Sequence, residues 1–224
     1  MISAERLQQI APWSRPLGEA ELERVRAGLS ERLVPAGATI CRQGEQFEPW
    51  AGVISGLVKL RTLSRDGKEV TLSGVHGGGW FGEGSVIKHE PRRYDLIALR
   101  ETRLALLDRP TFLWLFEHSA AFNRFLIGQL NERLGQFMAL LENDRKLEPT
   151  ARVARDIASM FNPVLYPEVG RHLKLTQEEL GLLVGLSRPT TNQALKALEG
   201  RGLLRVEHGG ITVLDLGGLR RCGE

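Results

Sequence analysis

Arg188, Pro189, Asn192, Gln193 and Lys196 recur at spacings that put them on one face of a helix. That mixture is suited to reading base edges: a guanidinium can grip guanine O6 and N7, and Asn or Gln can pair with adenine. Lys196 fits either a base or a phosphate. Thr191, Leu195 and Leu198 fall on the opposite face, which is expected to be buried. Such a face reads DNA only when a second element holds it outward. Thr176 is an N-cap and Glu179 completes a capping box, with Leu180, Leu183 and Val184 following at helical spacing. Gly185 supplies a turn, and Ser187 caps the second helix, with Pro189 tolerated in its first turn. Leu203–Glu207 and Ile211–Leu214 then flank a turn at His208–Gly210. The pattern predicts a winged helix-turn-helix, in which Thr176, Gln177, Ser187 and Thr190, near helix N-termini, suit phosphate contacts. Two capped helices with ordinary polar surfaces are the plain alternative; the run of cap, Gly turn, second cap and hairpin favours DNA.

Several elements must carry this module. Residues 1–30 read as amphipathic helix broken at Pro12 and Pro16. From Leu33 to Leu107, short runs at 38–42, 50–54, 57–63, 69–75, 96–98 and 103–107 alternate with turns such as Ser55-Gly56 and Arg65-Asp66-Gly67-Lys68. This pattern predicts an all-β sandwich or barrel. Asp108 caps a helix with Pro110 in its first turn, and a longer helix is expected over 120–146. Along it Leu126, Leu130, Leu134, Phe137 and Leu141 step like a coiled-coil seam, broadened by Ile127 and Met138. The stripe either packs on the strand-rich domain or joins two copies, and its length favours a homodimer. Pro149 interrupts the helix, which places a hinge at Glu148-Pro149. A helix over 150–160, a strand over 173–175 and an exposed loop over 164–170 are expected around the opening motif.

Composition narrows the classes. The net charge of +3 suits a polyanionic partner, but residues 150–224 hold ten Lys plus Arg against eight Asp plus Glu, so placement must decide. Cys41 and Cys222 are too few and too far apart for a structural zinc or an iron–sulfur cluster. Cys41 is either a redox switch or a buried, inert thiol. No metal site is expected. No apolar run approaches the ~20 residues that span a bilayer. The N-terminus is unlike a leader, so a cytoplasmic protein without membrane contact is expected. His76-Gly77-Gly78-Gly79 resembles an esterase oxyanion loop, but no GxSxG, Walker A or HExxH accompanies it. No catalytic residue is assigned, and an enzyme is the remote alternative.

The run Val53–Leu60, the turn Trp80–Ser85 with RRYDLIAL after it, and above all Leu175–Leu204 resemble the Crp/Fnr family of bacterial transcription regulators. The resemblance spans roughly residues 30–214. It implies an α+β chain. A double-stranded, jelly-roll-like β-roll that senses an effector would occupy residues 1–118, and a central dimerisation helix and hinge residues 119–148. A winged helix-turn-helix would fill residues 149–224. It also implies a homodimer on double-stranded DNA with two-fold-related half-sites, a contact with RNA polymerase for which 164–170 is a candidate, and an effector in the roll. The family's phosphate turn falls on Gly82, Glu83, Gly84 and Ser85, and its phosphate arginine on Arg93, with Arg92 and Tyr94 beside it. A small anionic effector is therefore expected. Two departures argue against cyclic AMP: Tyr94 replaces a small hydroxyl residue, and Phe137 and Met138 replace polar side chains that meet the purine. They leave open a constitutive regulator of the same fold. A haem sensor would have only His76 nearby. In the recognition helix Arg188 matches the family's arginine, whereas Pro189 replaces a carboxylate and Gln193 a second arginine.

Overall fold

The computed structural model describes residues 2–63, 69–167 and 169–223, the side chain of Asp144 excepted. The expected turn Arg65–Lys68 lies outside the described residues. The chain divides into two compact units, Met1–Leu130 and Asn131–Glu224.

The first unit begins with α1 (Ala4–Ile10), a 3-10 turn (Pro12–Ser14) and α2 (Glu19–Gly28). Strands follow: β1 (Leu29–Val34), β2 (Thr39–Cys41), β3 (Trp50–Ser55), β4 (Leu57–Leu63), β5 (Glu69–His76) and β6 (Trp80–Phe81). A short α3 (Glu83–Lys88) precedes β7 (Asp95–Ala98) and β8 (Thr102–Leu107), and α4 (Arg109–His118) leads into α5 (Ala120–Lys146). The strands form two four-stranded antiparallel sheets, ordered β1-β8-β3-β6 and β2-β7-β4-β5. This is the expected β-roll.

Two elements differ from the sequence reading. Residues 29 and 30, assigned to a leading helix, open β1, because pairing with β8 through Leu29–Leu107 overrides a weak local preference. The end of the turn expected over Trp80–Ser85 instead winds into α3 from Glu83 onward. The core is aromatic where the N-terminal segment covers the roll. Trp13 packs on Trp50, Trp80 and Phe122 with ring centroids 5.1–5.4 Å apart, within the range of favourable ring pairs.

Leu126 belongs to this core. It is 2% exposed and packs with Phe112, Leu115 and Phe122, so it is no part of an open seam. Ile127, one residue on, is 67% exposed and starts the stripe instead. Ile127, Leu130, Leu134, Phe137 and Leu141 are all exposed, and their intervals of three and four residues are the regular a/d pattern.

The second unit takes up α5 and continues through α6 (Pro149–Ser159), β9 (His172–Leu173), α7 (Gln177–Val184) and α8 (Arg188–Gly200) to β10 (Leu204–Glu207), β11 (Gly210–Val213) and α9 (Leu216–Arg220). β10, β11 and β9 form a three-stranded antiparallel sheet. In the 164–170 segment Leu165 and Tyr166 are buried, so it is not the wholly exposed loop expected. The amide of Asn162 turns it inward by accepting from Val164 N and Leu165 N at 2.9 and 3.0 Å. Burial pushes the Tyr166 phenol up. Among the described residues no helix is long and apolar enough to cross a membrane.

Candidate nucleic-acid interface and effector site

The presentation of α8 is set by local chemistry. Thr176 Oγ1 accepts from Glu179 N at 3.1 Å while the Glu179 carboxylate accepts from Thr176 N at 2.8 Å, which fixes the start of α7. Gly185 ends α7 at φ 66°, a left-handed conformation that a side chain would strain. Arg152 on α6 donates to the Val184 carbonyl at 3.1 Å, tying that turn to the helix beneath it. Ser187 Oγ accepts from Thr190 N at 3.3 Å and starts α8. Thr191, Ala194, Leu195 and Leu198 bury one face of α8, as the spacing predicts.

Arg188, Pro189, Gln193 and Lys196 are exposed on the other face. Asn192 is a partial exception. It is half-buried, and its Oδ1 is buried without a hydrogen-bond partner among the described residues, because the helix rotates that position toward the inner face. Thr176 and Ser187 are exposed, Gln177 and Thr190 half-buried. A groove of about 490 Å³ brings Thr176, Gln177 and Arg188 together with Glu207, His208 and Gly209 at the tip of the β10–β11 hairpin.

In the sequence pattern His208 is only a turn residue and Glu207 only the end of a strand. No local pattern marks them, since they reach the groove through the sheet. The Glu199 carboxylate accepts from Val206 N at 2.9 Å and holds that hairpin to the end of α8. His172 Nδ1 lies 2.9 Å from Thr212 Oγ1 and 3.3 Å from Glu207, bracing the same sheet.

A second arrangement lies in the first unit. Gly82 adopts φ 94° ahead of α3, and a Cβ there would collide with Nη1 of Arg92. Arg92 is 1% exposed. Its Nη2 donates to the Pro49 carbonyl at 3.3 Å, and its guanidinium lies 5.1 Å from the Phe47 ring centroid. Nε and Nη1 are buried with no hydrogen-bond partner among the described residues.

Arg93, the arginine expected to hold phosphate, points to solvent and pairs with Glu90 at 3.1 Å. The reason is pairing with a distant loop: Gly44 N donates to Arg92 O and Arg92 N to Glu45 O, at 2.8 and 2.9 Å, which turns the Arg92 side chain inward. Glu83 is buried, Ser85 and Tyr94 are half-buried and Gly84 is exposed. Phe137 and Met138 belong to the second unit, on the open face of α5.

Cys41 is buried, and burial raises its thiol pKa, which disfavours the reactive thiolate. His76 closes β5 with Nδ1 3.1 Å from the Gly77 carbonyl. Among the described residues no group of three or more His, Cys, Asp and Glu could hold a metal ion.

Two family models match the two units: the cyclic nucleotide-binding domain over residues 31–119 and the Crp-like helix-turn-helix domain over 133–222. The chain belongs to the Crp/Fnr family of transcription regulators. It is 29% identical to the cAMP-activated global transcriptional regulator CRP of Pasteurella multocida, over 80% of this chain and 87% of that one. Against the c-di-GMP responsive global regulator CLP of Xanthomonas campestris the identity is 25% and the TM-score 0.60, covering 88% and 99% of the two chains. FixK2 of Bradyrhizobium japonicum, at 19% identity and a TM-score of 0.71 over 88% and 98%, shares the fold. The relatives named as CRP and CLP are regulators. This Crp/Fnr protein thus pairs a DNA-binding helix-turn-helix with a cyclic-nucleotide-binding-type roll.

Proposed function

We propose that two copies join along the exposed a/d stripe of α5 and present two α8 helices to successive major grooves of a two-fold-related DNA site. The observation that carries this reading is the exposed Arg188 face on a capped α8, beside a hairpin tip, in a chain of this family. The stripe from Ile127 to Leu141 supports the homodimer, since an apolar face of that length is costly to leave in water. Arg188 reads a base, Gln193 and Asn192 are candidates for adenine, and Thr176, Gln177, Ser187 and Thr190 contact phosphates, with Pro189 lining the same face. Lys196 serves either role. The working place is the cytoplasm and the role regulatory rather than enzymatic, with RNA polymerase as a partner. Selection from a random duplex library with the full chain tests the reading. A palindrome with half-sites about one helical turn apart, or a multiple of it, is the expected outcome. Uniform binding to all duplexes would refute it.

The buried Arg92, with two nitrogens unpartnered beside Gly82, supports control by a small anion at the roll. The CRP and CLP relatives carry different nucleotides in their names, so the domain does not fix the effector. With Arg92 as the anion-facing residue, Arg93 stands where cyclic-AMP binders have a small hydroxyl residue. Together with Phe137 and Met138 this argues against cyclic AMP here. Those two apolar residues also favour the second reading, a regulator whose α5 pairing needs no ligand. Full-affinity DNA binding by protein that mass spectrometry finds ligand-free distinguishes the two.

A further inference from the structure

The polar side of α5 in the second unit opens onto a cleft that neither DNA binding nor the roll explains. Gly135 and Ala139 on α5 and Ala158 on α6 are too small to fill the space between the helices, and a volume of about 320 Å³ remains. That is within the range of small-molecule sites, roughly 300–1,000 Å³. Its walls mix apolar and polar groups: Leu140 lies among Gln136 and Asn143 from α5, with Arg155 and Ser159 from α6 and Arg220 from α9.

The walls are also held. At one end Asn162 Nδ2 donates to the Glu132 carboxylate at 2.7 Å, which occupies the acid of the cleft. At the other, Arg155 Nε donates to the Cys222 carbonyl at 2.9 Å, which orients its guanidinium. Arg220 is exposed and has no acidic partner among the described residues. Glu142, one residue before Asn143 on α5, is bonded to Lys146 at 2.8 Å and is also attracted, more weakly, by Arg155. Glu132 and Asn143 are eleven residues apart, about 16 Å of helix. The acid among these lining residues, Glu132, is thus bonded to Asn162, and the lining carries two guanidiniums, Arg155 and Arg220.

We propose that this cleft binds a small anionic metabolite. Its carboxylate or phosphate group is held by Arg155 and Arg220, and its hydrogen-bonding body lies along Gln136, Asn143 and Ser159. Because α6 packs directly on α8, an occupant bears on the helix that carries Arg188. The inference does not depend on the reading of the roll or of the DNA face, since its test is binding alone.

The test is NMR of the isotope-labelled full chain titrated separately with citrate and with inorganic phosphate. Saturable shifts are expected at the amides of Asn143, Ser159 and Arg220 with at least one of the ions, and which ion acts tells carboxylate from phosphate. Affinity is expected to fall at least ten-fold in Arg220→Gln. In Gly135→Leu the shifts are expected to vanish, because a side chain there enters open space and plugs the cleft. Unchanged resonances elsewhere report that each variant is folded. No saturable shift at those amides with either ion, or identical titrations in the wild type and both variants, would overturn the proposal. Shifts confined to Arg92 or to α8 would overturn it equally.

Discussion

Arg92 and Arg188 are two arginines suited to anionic partners, and their surroundings are opposite. Arg188 stands in water at the start of a helix that begins on its own side-chain cap, so its charge costs the fold little. Arg92 is sealed against Phe47, Pro49 and Gly82 with two nitrogens unpartnered, so its charge is a standing cost that an arriving anion relieves. An exposed cation can be spent on a large, variable surface such as DNA. A buried one selects a single small partner and couples that partner to the stability of the unit around it.

The contrast can be broken by mutation. Arg188→Ala is expected to cost about 1–3 kcal/mol of DNA affinity at one base position and to relax preference there, with no change in unfolding. A loss spread equally over all sequences would make Arg188 a phosphate contact. Arg92→Leu is expected to do the reverse. Removing a buried, half-satisfied cation should leave the unliganded protein unchanged or stabilise it, by about 1–4 kcal/mol in denaturant titration, while anion binding is lost. Strong destabilisation without ligand would mean that Pro49 and Phe47 already satisfy it.

Legibility in the sequence follows the same divide. The α7–α8 unit could be read because its signals are local: Thr176, Gly185 and Ser187 each fix the backbone within a few residues. The choice between Arg92 and Arg93 could not, because it is made by backbone bonds to Gly44 and Glu45, far away in the chain. Leu126 and Ile127 differ by one helical position, and only the aromatic core around Phe122 decides which is covered. Glu207 and His208 reach the groove through sheet pairing that no motif encodes.

Two smaller effects sharpen the comparison. Thr176→Ala removes the α7 cap and is expected to cost about 1 kcal/mol in stability. DNA affinity should fall with it, because Thr176 also lines the groove beside Arg188; unchanged affinity would separate the cap from the reading face.

In the first unit, hydrogen bonds from Lys59, then from Arg61, hold the Glu69 carboxyl below the usual range. A depressed carboxylate contributes stability above its unfolded pKa, about 4.3, and loses it as pH falls through the lower folded value. Glu69→Gln should therefore destabilise modestly at neutral pH and flatten the acid limb of a stability profile. The limb keeping its slope would show that other carboxylates set it.

The central claim is that two chains read one two-fold site. Native mass spectrometry of the full chain on its selected duplex tests it most directly. The account predicts a complex of two chains and one duplex that a scrambled duplex does not form. One chain per duplex, or the same complex on both duplexes, would contradict it.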